Sequence, residues 1–358
     1  MKLIVVFGGD TPEHEVSLAS ARTVLSMAER LSWDVLPVGV TRDGRWLLGP
    51  SALKRLWVDA DPQLLPTGNG LADRVPGDGG GCEEFDGVPP ASVWSGYELA
   101  MPVCHGRWGE DGTLQGMLAS WGLRVVGSGV AASAVCFDKH LTKSVLSAAG
   151  LPVTRGVRLH RVDYLKDPDG MAHLLARRVG PLPWFVKPVS GGSSLGIGRV
   201  DELADLDGRL REAFRWDAAA LVEEYVPHRE MVLGVMGRQA DCLVVSPPGE
   251  CIAFGSLYTY EEKYRLGNAR FRCPADIAPQ LTDRARELAA AAFRALGCSI
   301  FARVDLFLDE RTGGFIVNEV NTIPGLTDVS VFPKVMNADG YDYPQMLGAL
   351  CQLADEQE

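Results

Sequence analysis

An apolar run over residues 3–7 that ends at Gly8 and Gly9 constrains the fold more than any other segment of the chain. Continuous runs of β-branched and aromatic residues are typical of strands that are buried on both faces of a parallel sheet. Helical spacing follows over residues 17–31, and residues 35–40 form a second apolar run. A strand, a helix and a strand in this order predict a βαβ unit, with its loops along one edge of the sheet.

The rest of the chain continues this alternation of strands and helices. A length of 358 residues exceeds one ordinary core and predicts two or three domains. From shifts in composition we predict three α/β domains, over residues 1–135, 136–230 and 231–358. Residues 61–92 are rich in Gly and Pro and have no period. We interpret them as a surface excursion, because a strand pattern resumes at Leu99.

Charge and cysteine usage exclude several classes of protein. The chain has 35 Lys and Arg against 46 Asp and Glu, a net charge of −11, and no basic block. We therefore expect no contact with nucleic acid or an anionic membrane, and an anionic ligand would need a local basic pocket. The first apolar run is too short for a secretion signal or a membrane span, which predicts a cytoplasmic protein. The eight cysteines lack metal-ligand spacing and are predicted to be buried free thiols.

Several familiar motifs are incomplete or missing. Residues 127–132 match G-x-G-x-x-A after a strand, but no acidic residue follows about 20 positions later, as a dinucleotide site requires. His14 and Glu15 begin an H-E-x-x-H pattern whose second histidine is absent. Neither a G-x-S-x-G elbow nor a P-loop sequence occurs. These observations argue against dinucleotide binding, zinc or serine hydrolysis and P-loop chemistry.

A loop rich in Gly and Ser follows a strand over residues 187–198, which read KPVSGGSSLGIG. Glycines allow backbone N–H groups to approach phosphate oxygens, and serine hydroxyls add donors. By itself such a loop could be a flexible hairpin tip. Lys187 favours a phosphate site, because a lysine at the end of a strand supplies charge to nucleotide phosphates.

A hairpin with polar groups on one face is predicted over residues 300–321. Period two places Arg303 and Asp305 on one face of its first strand, and Glu319 and Asn321 on one face of its second. With the hairpin centred near residue 312, Asp305 lies opposite Glu319 and Arg303 lies opposite Asn321. Opposed carboxylates repel unless a cation lies between them, and oxygen ligands of this kind suit Mg²⁺. The alternative is a solvated hairpin face.

Two weaker features remain open on the residues alone. Glu223 and Glu224 end a strand and Glu230 follows, so that strand could hold an adenine and the acid a ribose, or these acids could line a solvated face. Residues 256–274 are polar and aromatic, with Lys263 near their centre. They could form a lid over phosphates or an ordinary Ω-loop.

The order of these motifs resembles the D-alanine:D-alanine ligase family of the ATP-grasp superfamily. The matching segments are residues 8–18, 104–118, 127–143, 187–198, 261–264 and 318–327. The resemblance implies an α/β ATP-grasp ligase with three domains: a Rossmann-like N-terminal domain, then two ATP-grasp subdomains that clamp ATP, the last of which carries the lid and the metal site. Val329 stands where many members carry His, which leaves the preference for the second substrate open.

The resemblance also implies roles for individual residues. Expected at ATP are Lys139, Lys187, Ser193, Ser194, Glu223, Glu224, Tyr225, Val226, Glu230 and Lys263. Expected metal ligands, for two Mg²⁺ ions with Mn²⁺ as an alternative, are Asp305, Glu319 and Asn321. Expected at the amino acids are Glu15, His105, Arg303, Gly325, Ser330 and Val331. Glu15, Ser193 and Tyr264 would form a hydrogen-bonded triad at the first D-alanine, with Lys263, Arg303 and Gly325 as the other catalytic groups.

The implied reaction is ATP-dependent ligation of two D-alanines through a D-alanyl phosphate, for peptidoglycan precursors of the cell wall. D-alanine and ATP are the implied partners, together with a second copy of the chain in a homodimer. Alternatives within the family are D-alanine:D-serine and D-alanine:D-lactate ligases. Two alternatives lie outside the family. Another ATP-grasp carboxylate–amine ligase would lack the HEVSL and EEKY segments that this chain has, and a non-catalytic nucleotide-binding module would lack a phosphate lysine or a metal ligand.

Overall fold

The structure is a computed structural model that describes residues 1–61, 75–76, 80–192, 195–239, 242–252 and 270–356. These residues form three sheets with helices packed on them. No helix within this part of the chain is both long and apolar enough to cross a membrane.

The first sheet has six strands in the order β4-β3-β2-β1-β5-β6. Its strands are β1 Lys2–Gly8, β2 Asp34–Val40, β3 Trp46–Leu48, β4 Glu83–Phe85, β5 Leu99–Pro102 and β6 Arg124–Val125. Strand β1 is parallel to β2 and β5, whereas β3 is antiparallel to β2 and β4. The helices α1 His14–Arg30, α2 Ala52–Asp59 and α3 Thr113–Ser120 belong to this part of the chain.

The second sheet is antiparallel, with four strands in the order β7-β10-β8-β9. Its strands are β7 Gly156–His160, β8 Trp184–Pro188, β9 Gly198–Val200 and β10 Ala219–Glu224. The helices of this region are α4 Val130–Phe137, α5 Lys139–Ala148, α6 Arg161–Lys166, α7 Pro168–Arg178 and α8 Leu206–Ala213. Trp184 and Val186 of β8 are buried against Leu210 of α8.

The third sheet is antiparallel, in the order β14-β13-β11-β15-β16, with β12 paired to β11. Its strands are β11 His228–Gly237, β12 Val244–Val245, β13 Gly249–Ile252, β14 Arg270–Arg272, β15 Ile300–Asp309 and β16 Phe315–Asn321. The helices are α9 Pro279–Ala295, α10 Val331–Ala338 and α11 Tyr343–Asp355. Leu347 and Leu350 of α11 share one buried core with Leu3 of β1, so the end of the chain ties the third sheet to the first.

The main sequence predictions for these elements are confirmed. The opening βαβ unit is β1, α1 and β2, with β1 and β2 paired in parallel. In the hairpin of β15 and β16, Asp305 pairs with Glu319 and Arg303 pairs with Asn321, as the predicted register requires.

Other sequence predictions differ from the structure. Helix α4, which ends at Phe137, was not predicted, and after it the Asp138 carboxylate accepts the N–H groups of His140 and Leu141 to begin α5. The edge strands β3 and β4 were not predicted, and β4 lies inside the Gly- and Pro-rich excursion. The prediction of buried thiols is wrong for Cys242, which is exposed, and for Cys82 and Cys273, which are half-buried.

Candidate active site

A cavity of about 820 Å³ is lined by residues of the second and third sheets and by residues that follow strands β1 and β5 of the first. Its size is suited to a nucleotide with small ligands beside it. Fifteen predicted site residues line it: His105, Lys139, Lys187, Glu223, Glu224, Tyr225, Val226, Glu230, Arg303, Asp305, Glu319, Asn321, Gly325, Ser330 and Val331. Glu15 is not among the lining residues. Ser193, Ser194, Lys263 and Tyr264, with most of the expected lid, lie outside the described residues.

A buried cluster of charges forms one wall. Lys187 Nζ lies 2.6 Å from Glu223 Oε2, and Lys143 Nζ lies 2.7 Å from Glu223 Oε1. The Thr154 hydroxyl donates to Glu223 Oε1 at 2.6 Å and accepts from Lys143 at 2.7 Å. Burial lowers the pKa of Lys143 to about 8, while the two lysines hold the pKa of Glu223 down at about 2 against the opposing effect of burial. The cluster therefore carries a net positive charge suited to an anionic ligand.

Lys139 brings a third ammonium to this wall from the first turn of α5. Its Nζ donates to the Gly191 carbonyl, and its backbone N–H donates to the Val189 carbonyl at 3.0 Å. These bonds fix α5 against the described part of the Gly/Ser loop, where Gly191 and Gly192 also line the cavity. Burial lowers the pKa of Lys139. Backbone N–H groups and ammonium groups thus approach the cavity from the same side.

The polar residues of the hairpin also line the cavity, and Lys187 Nζ lies 3.4 Å from Asn318 Oδ1 of β16. Arg303 donates from Nε and Nη2 to the two oxygens of Asp305, each at 2.7 Å, and its Nη2 lies 3.8 Å from Glu319 Oε1. Asn321 Nδ2 lies 3.5 Å from Asp305 Oδ2. Asp305 is only 2% exposed, so its charge needs a cationic partner.

This donor set fits a hard divalent cation. Two carboxylates and a carboxamide are oxygen ligands of the kind that Mg²⁺ takes while it keeps water and phosphate oxygens in its other positions. No group of three or more His, Cys, Asp or Glu that could hold a metal occurs within the described ranges. Asp305, Glu319 and Asn321 are the residues that would hold the ion.

The opposite end of the cavity is a tight turn after β16. The Thr327 and Ser330 hydroxyls lie 2.6 Å apart, and a Cβ atom on Gly325 would lie 2.8 Å from Ser330 Oγ, so only glycine fits there without a shift. The Tyr343 hydroxyl donates to the Leu326 carbonyl at 2.6 Å. These contacts hold the turn rigidly beside the first residue of α10.

Glu15 does not reach the cavity, which corrects the sequence prediction. It is 3% exposed, and both its oxygens accept from Arg42 Nη2 at 2.8 Å. Glu13 lines the cavity instead, where Cβ atoms on Gly106 and Gly192 would lie 3.4 and 3.2 Å from its Oε2. The two acids are two residues apart at the start of α1, which is about 200° around a helix, so only one of them can face the cavity.

His105 and Glu110 complete this end of the cavity. His105 is 5% exposed, burial lowers its pKa, and its Nε2 has no hydrogen-bond partner among the described residues. Glu110 accepts the Gly106 N–H at 2.6 Å. Burial, together with the charge of Glu13, raises the pKa of Glu110 to about 8. A neutral imidazole and two carboxyl groups thus converge where an amino-acid ammonium could bind.

The wall formed by the end of β10 and the start of β11 combines charged groups with flat rings. Glu224 pairs with Arg155 Nη2 at 2.7 Å, and the Arg199 guanidinium lies 4.2 Å from the centre of the Tyr225 ring. His228 stacks on Phe307 with ring centres 3.6 Å apart. Flat rings and aliphatic chains along this wall suit a planar base.

Comparisons with known proteins identify the family. The D-ala D-ala ligase N-terminus matches residues 2–128, and the D-ala D-ala ligase C-terminus matches residues 145–352. The D-alanine–D-alanine ligase of Deinococcus radiodurans is 40% identical over 358 residues, which is 99% of either chain. That of Sodalis glossinidius is 40% identical and covers 99% of this chain and 94% of the relative.

The chain belongs to the D-ala D-ala ligase family. Solved structures agree with this assignment. The VanG D-Ala:D-Ser ligase from Enterococcus faecalis has a TM-score of 0.82 and 33% identity, with 99% of each chain covered. The D-alanine-D-alanine ligase from Coxiella burnetii has a TM-score of 0.76 and 29% identity, with 99% of this chain and 95% of the other covered. The predicted fold class, an α/β ATP-grasp ligase, is therefore confirmed.

Sequence reasoning did not identify Glu13 and Glu110, which line this ligase's cavity, or Lys143 in the charge cluster beside it. Glu13 and Glu110 stand in segments that were recognised, but neither segment shows which of its acids faces inward. Lys143 lies four residues after Lys139, so both lie on one face of α5. The spacing of these two lysines therefore indicated, from the sequence, that Lys143 lies near Lys139.

The buried Glu223 should make the ligase sensitive to acid. Its pKa is lowered to about 2 in the folded state against about 4.3 in an unfolded chain, so its contribution to stability is present above pH 4.3 and is lost below it. Between pH 5.5 and pH 3 this loss is about 2 kcal/mol. Urea unfolding at both pH values should show a correspondingly smaller loss for Glu223→Gln. The control variant Glu202→Gln, at an exposed position, should lose as much free energy of unfolding between the two pH values as the wild type. A loss of the same size in Glu223→Gln would contradict the prediction.

Proposed function

We propose that this chain is an ATP-dependent ligase that joins two D-alanines to D-alanyl-D-alanine through a D-alanyl phosphate, with release of ADP and phosphate. The observation that carries the proposal is the cavity itself. The same cavity is lined by buried lysines, by an oxygen-rich hairpin and by the acids of the amino-acid end, in a chain of this family. A phosphoryl donor and a carboxylate acceptor need this combination.

At the nucleotide end, Lys139 and Lys187 bind phosphate oxygens, supported by the N–H groups of Gly191 and Gly192. Residues 223–226 hold the adenine and Glu230 the ribose. The γ-phosphoryl group passes to the carboxylate of the first D-alanine, and the ammonium groups stabilise the charge that develops on the separating oxygens. Asp305, Glu319 and Asn321 would hold Mg²⁺, which when bound neutralises phosphate charge.

At the amino-acid end, we assign Glu13 rather than Glu15 to the ammonium of the first D-alanine, because Glu13 lines the cavity. Arg303 and the Gly325 N–H are the donors for the tetrahedral oxyanion that forms when the second amine attacks. The turn at Ser330 and Val331 binds the second D-alanine, and His105 lies between the two amino acids. Ser193, Tyr264 and Lys263 remain proposed members of the site.

The setting follows from the reaction. ATP and D-alanine are both cytoplasmic compounds, so we place the enzyme in the cytoplasm, where it supplies a dipeptide for peptidoglycan precursors. A homodimer and a second Mg²⁺ ion belong to the same proposal. Gel filtration with light scattering measures the first of these, and metal titration measures the second.

D-serine is the second candidate for the acceptor, because one similar structure is a D-Ala:D-Ser ligase. An added hydroxyl in a small pocket changes binding by only about 1–3 kcal/mol. We expect D-alanyl-D-alanine as the main product when D-alanine, D-serine and D-lactate are supplied in equal amounts with ATP. Because an amine must lose a proton before it attacks, the yield of dipeptide should rise from pH 6 to pH 9. Products are identified by mass.

The possible outcomes of this competition are distinct. A main product of D-alanyl-D-serine would move the enzyme to the second candidate. A depsipeptide that dominates at pH 6 would identify a D-lactate ligase. Absence of ADP formation with every acceptor would overturn the proposed reaction itself.

A further inference from the structure

Lys143 is the one buried lysine of the charge cluster that has no role in the proposed reaction. It projects from α5 one turn beyond Lys139, and its side chain is 7% exposed. Its Nζ donates to Glu223 and to Thr154, each at 2.7 Å. Burial of an ammonium group costs free energy. A buried lysine that does not contact the ligand should therefore stabilise the residues that do.

Glu223 is the residue that connects Lys143 to the nucleotide site. Its 4% exposed carboxylate is bound by Lys187 at one oxygen and by Lys143 and Thr154 at the other. Lys187 therefore has two possible anionic partners, because the nucleotide phosphates compete with Glu223 for the same ammonium group. A buried carboxylate that loses its only cation is strongly destabilised.

The local backbone preserves this arrangement. Glu223 pairs with Gly156 across β10 and β7, and a Cβ atom on Gly156 would lie 3.1 Å from Glu223 Cγ. Glycine therefore leaves room for the Glu223 side chain to lie between β7 and α5. Lys143 reaches it from one side and Lys187 from the other.

We propose that Lys143 is a positioning residue that satisfies Glu223 and so releases Lys187 to the nucleotide phosphates. The inference rests on the proposed function, in which Lys187 binds ATP. When Lys187 turns toward phosphate oxygens, Glu223 keeps one ammonium and one hydroxyl donor. Without Lys143, Lys187 is the one ion-pair partner left to Glu223 among the described residues, and ATP must break that ion pair to bind.

The test is a double-mutant cycle of Lys143→Met and Glu223→Gln, with KM for ATP, KM for D-alanine and kcat measured separately. We expect Lys143→Met to raise KM for ATP by about ten- to a hundredfold, because it removes a hydrogen bond to a buried charge. KM for D-alanine and kcat at saturating ATP should stay within about threefold. In the Glu223→Gln background the same substitution should change KM for ATP by less than about threefold, because a neutral amide no longer competes for Lys187.

Two further variants complete the experiment. Lys143→Arg keeps the charge and should restore KM for ATP to near the wild-type value, which also serves if Lys143→Met does not fold. Lys166→Met removes an exposed lysine from α6 and should change nothing. An equal effect of Lys143→Met in both backgrounds would mean that Lys143 binds ATP directly, and an unchanged KM would mean that it has no role; either overturns the proposal.

The failure of this inference can be told apart from failure of the proposed function. Lys187→Met should weaken ATP binding whatever Lys143 does. If Lys187→Met leaves KM for ATP unchanged, the assignment of the nucleotide end is wrong. If Lys187→Met has its effect and Lys143→Met has none, only the role of Lys143 is wrong.

Discussion

Replacing Glu319 with glutamine is expected to lower turnover by about a hundred- to a thousandfold while the fold stays intact. The substitution removes one of the two carboxylates that would hold Mg²⁺, while the similar shape of the amide preserves the packing. Stability should change by less than about 1 kcal/mol, because Glu319 is 27% exposed and solvent screens its interaction with Arg303 Nη2 at 3.8 Å. Steady-state rates against Mg²⁺ concentration measure the first effect, and urea unfolding without metal measures the second.

Glu310→Gln is the matched control for this substitution. Glu310 is an exposed carboxylate just beyond the end of β15, so its variant loses the same charge outside the cavity. Its turnover should match the wild type. Near-full activity of Glu319→Gln would show that Glu319 has no part in metal binding. A marked loss of stability of this variant without Mg²⁺ would show that Glu319 has a structural role instead.

The hairpin shows how far sequence reasoning reaches. Alternation in a strand has a period of two, so a single turn position determines every cross-strand pair. The pairing of Asp305 with Glu319 was therefore predictable from the sequence alone. A bulge follows directly after Asp305, and it could not be foreseen, because a shift of one residue leaves no mark in the polar pattern.

The edge of the first sheet shows where the same reasoning fails. Strands β3 and β4 are three residues long, and β4 lies inside the excursion rich in Gly and Pro. Such short strands carry too few residues to establish a period, and their pairing depends on the neighbouring strand. The buried charge cluster was missed for a similar reason. Lys143 and Thr154 are 11 residues apart, but Glu223 lies 69 residues beyond Thr154, and only the tertiary fold brings it to them.

The start of α1 is where the structure differs most from the predicted site, because Glu13 lines the cavity and Glu15 does not. The segment from residue 10 to residue 18 contains both Glu13 and Glu15, and each is a plausible ligand for an ammonium. Helix geometry requires that they face different ways. Arg42 decides between them, because it holds both Glu15 oxygens and also donates to the Thr11 carbonyl at 3.0 Å. A distant arginine thus determines the direction of an active-site loop.

Glutamine substitutions at these two acids should therefore have opposite effects. Glu13→Gln is expected to lower kcat/KM for D-alanine by about a hundredfold, because an amide lacks the charge that binds an ammonium, while the free energy of unfolding stays close to the wild-type value. Glu15→Gln is expected to cost about 1–3 kcal/mol of stability by breaking a buried charged hydrogen bond, with kcat/KM reduced less than about fivefold. Urea unfolding and steady-state rates on both variants measure the pair of effects. If Glu15→Gln abolishes activity and Glu13→Gln does not, the first turn of α1 presents Glu15 to the substrate, and our assignment of the ammonium site is wrong.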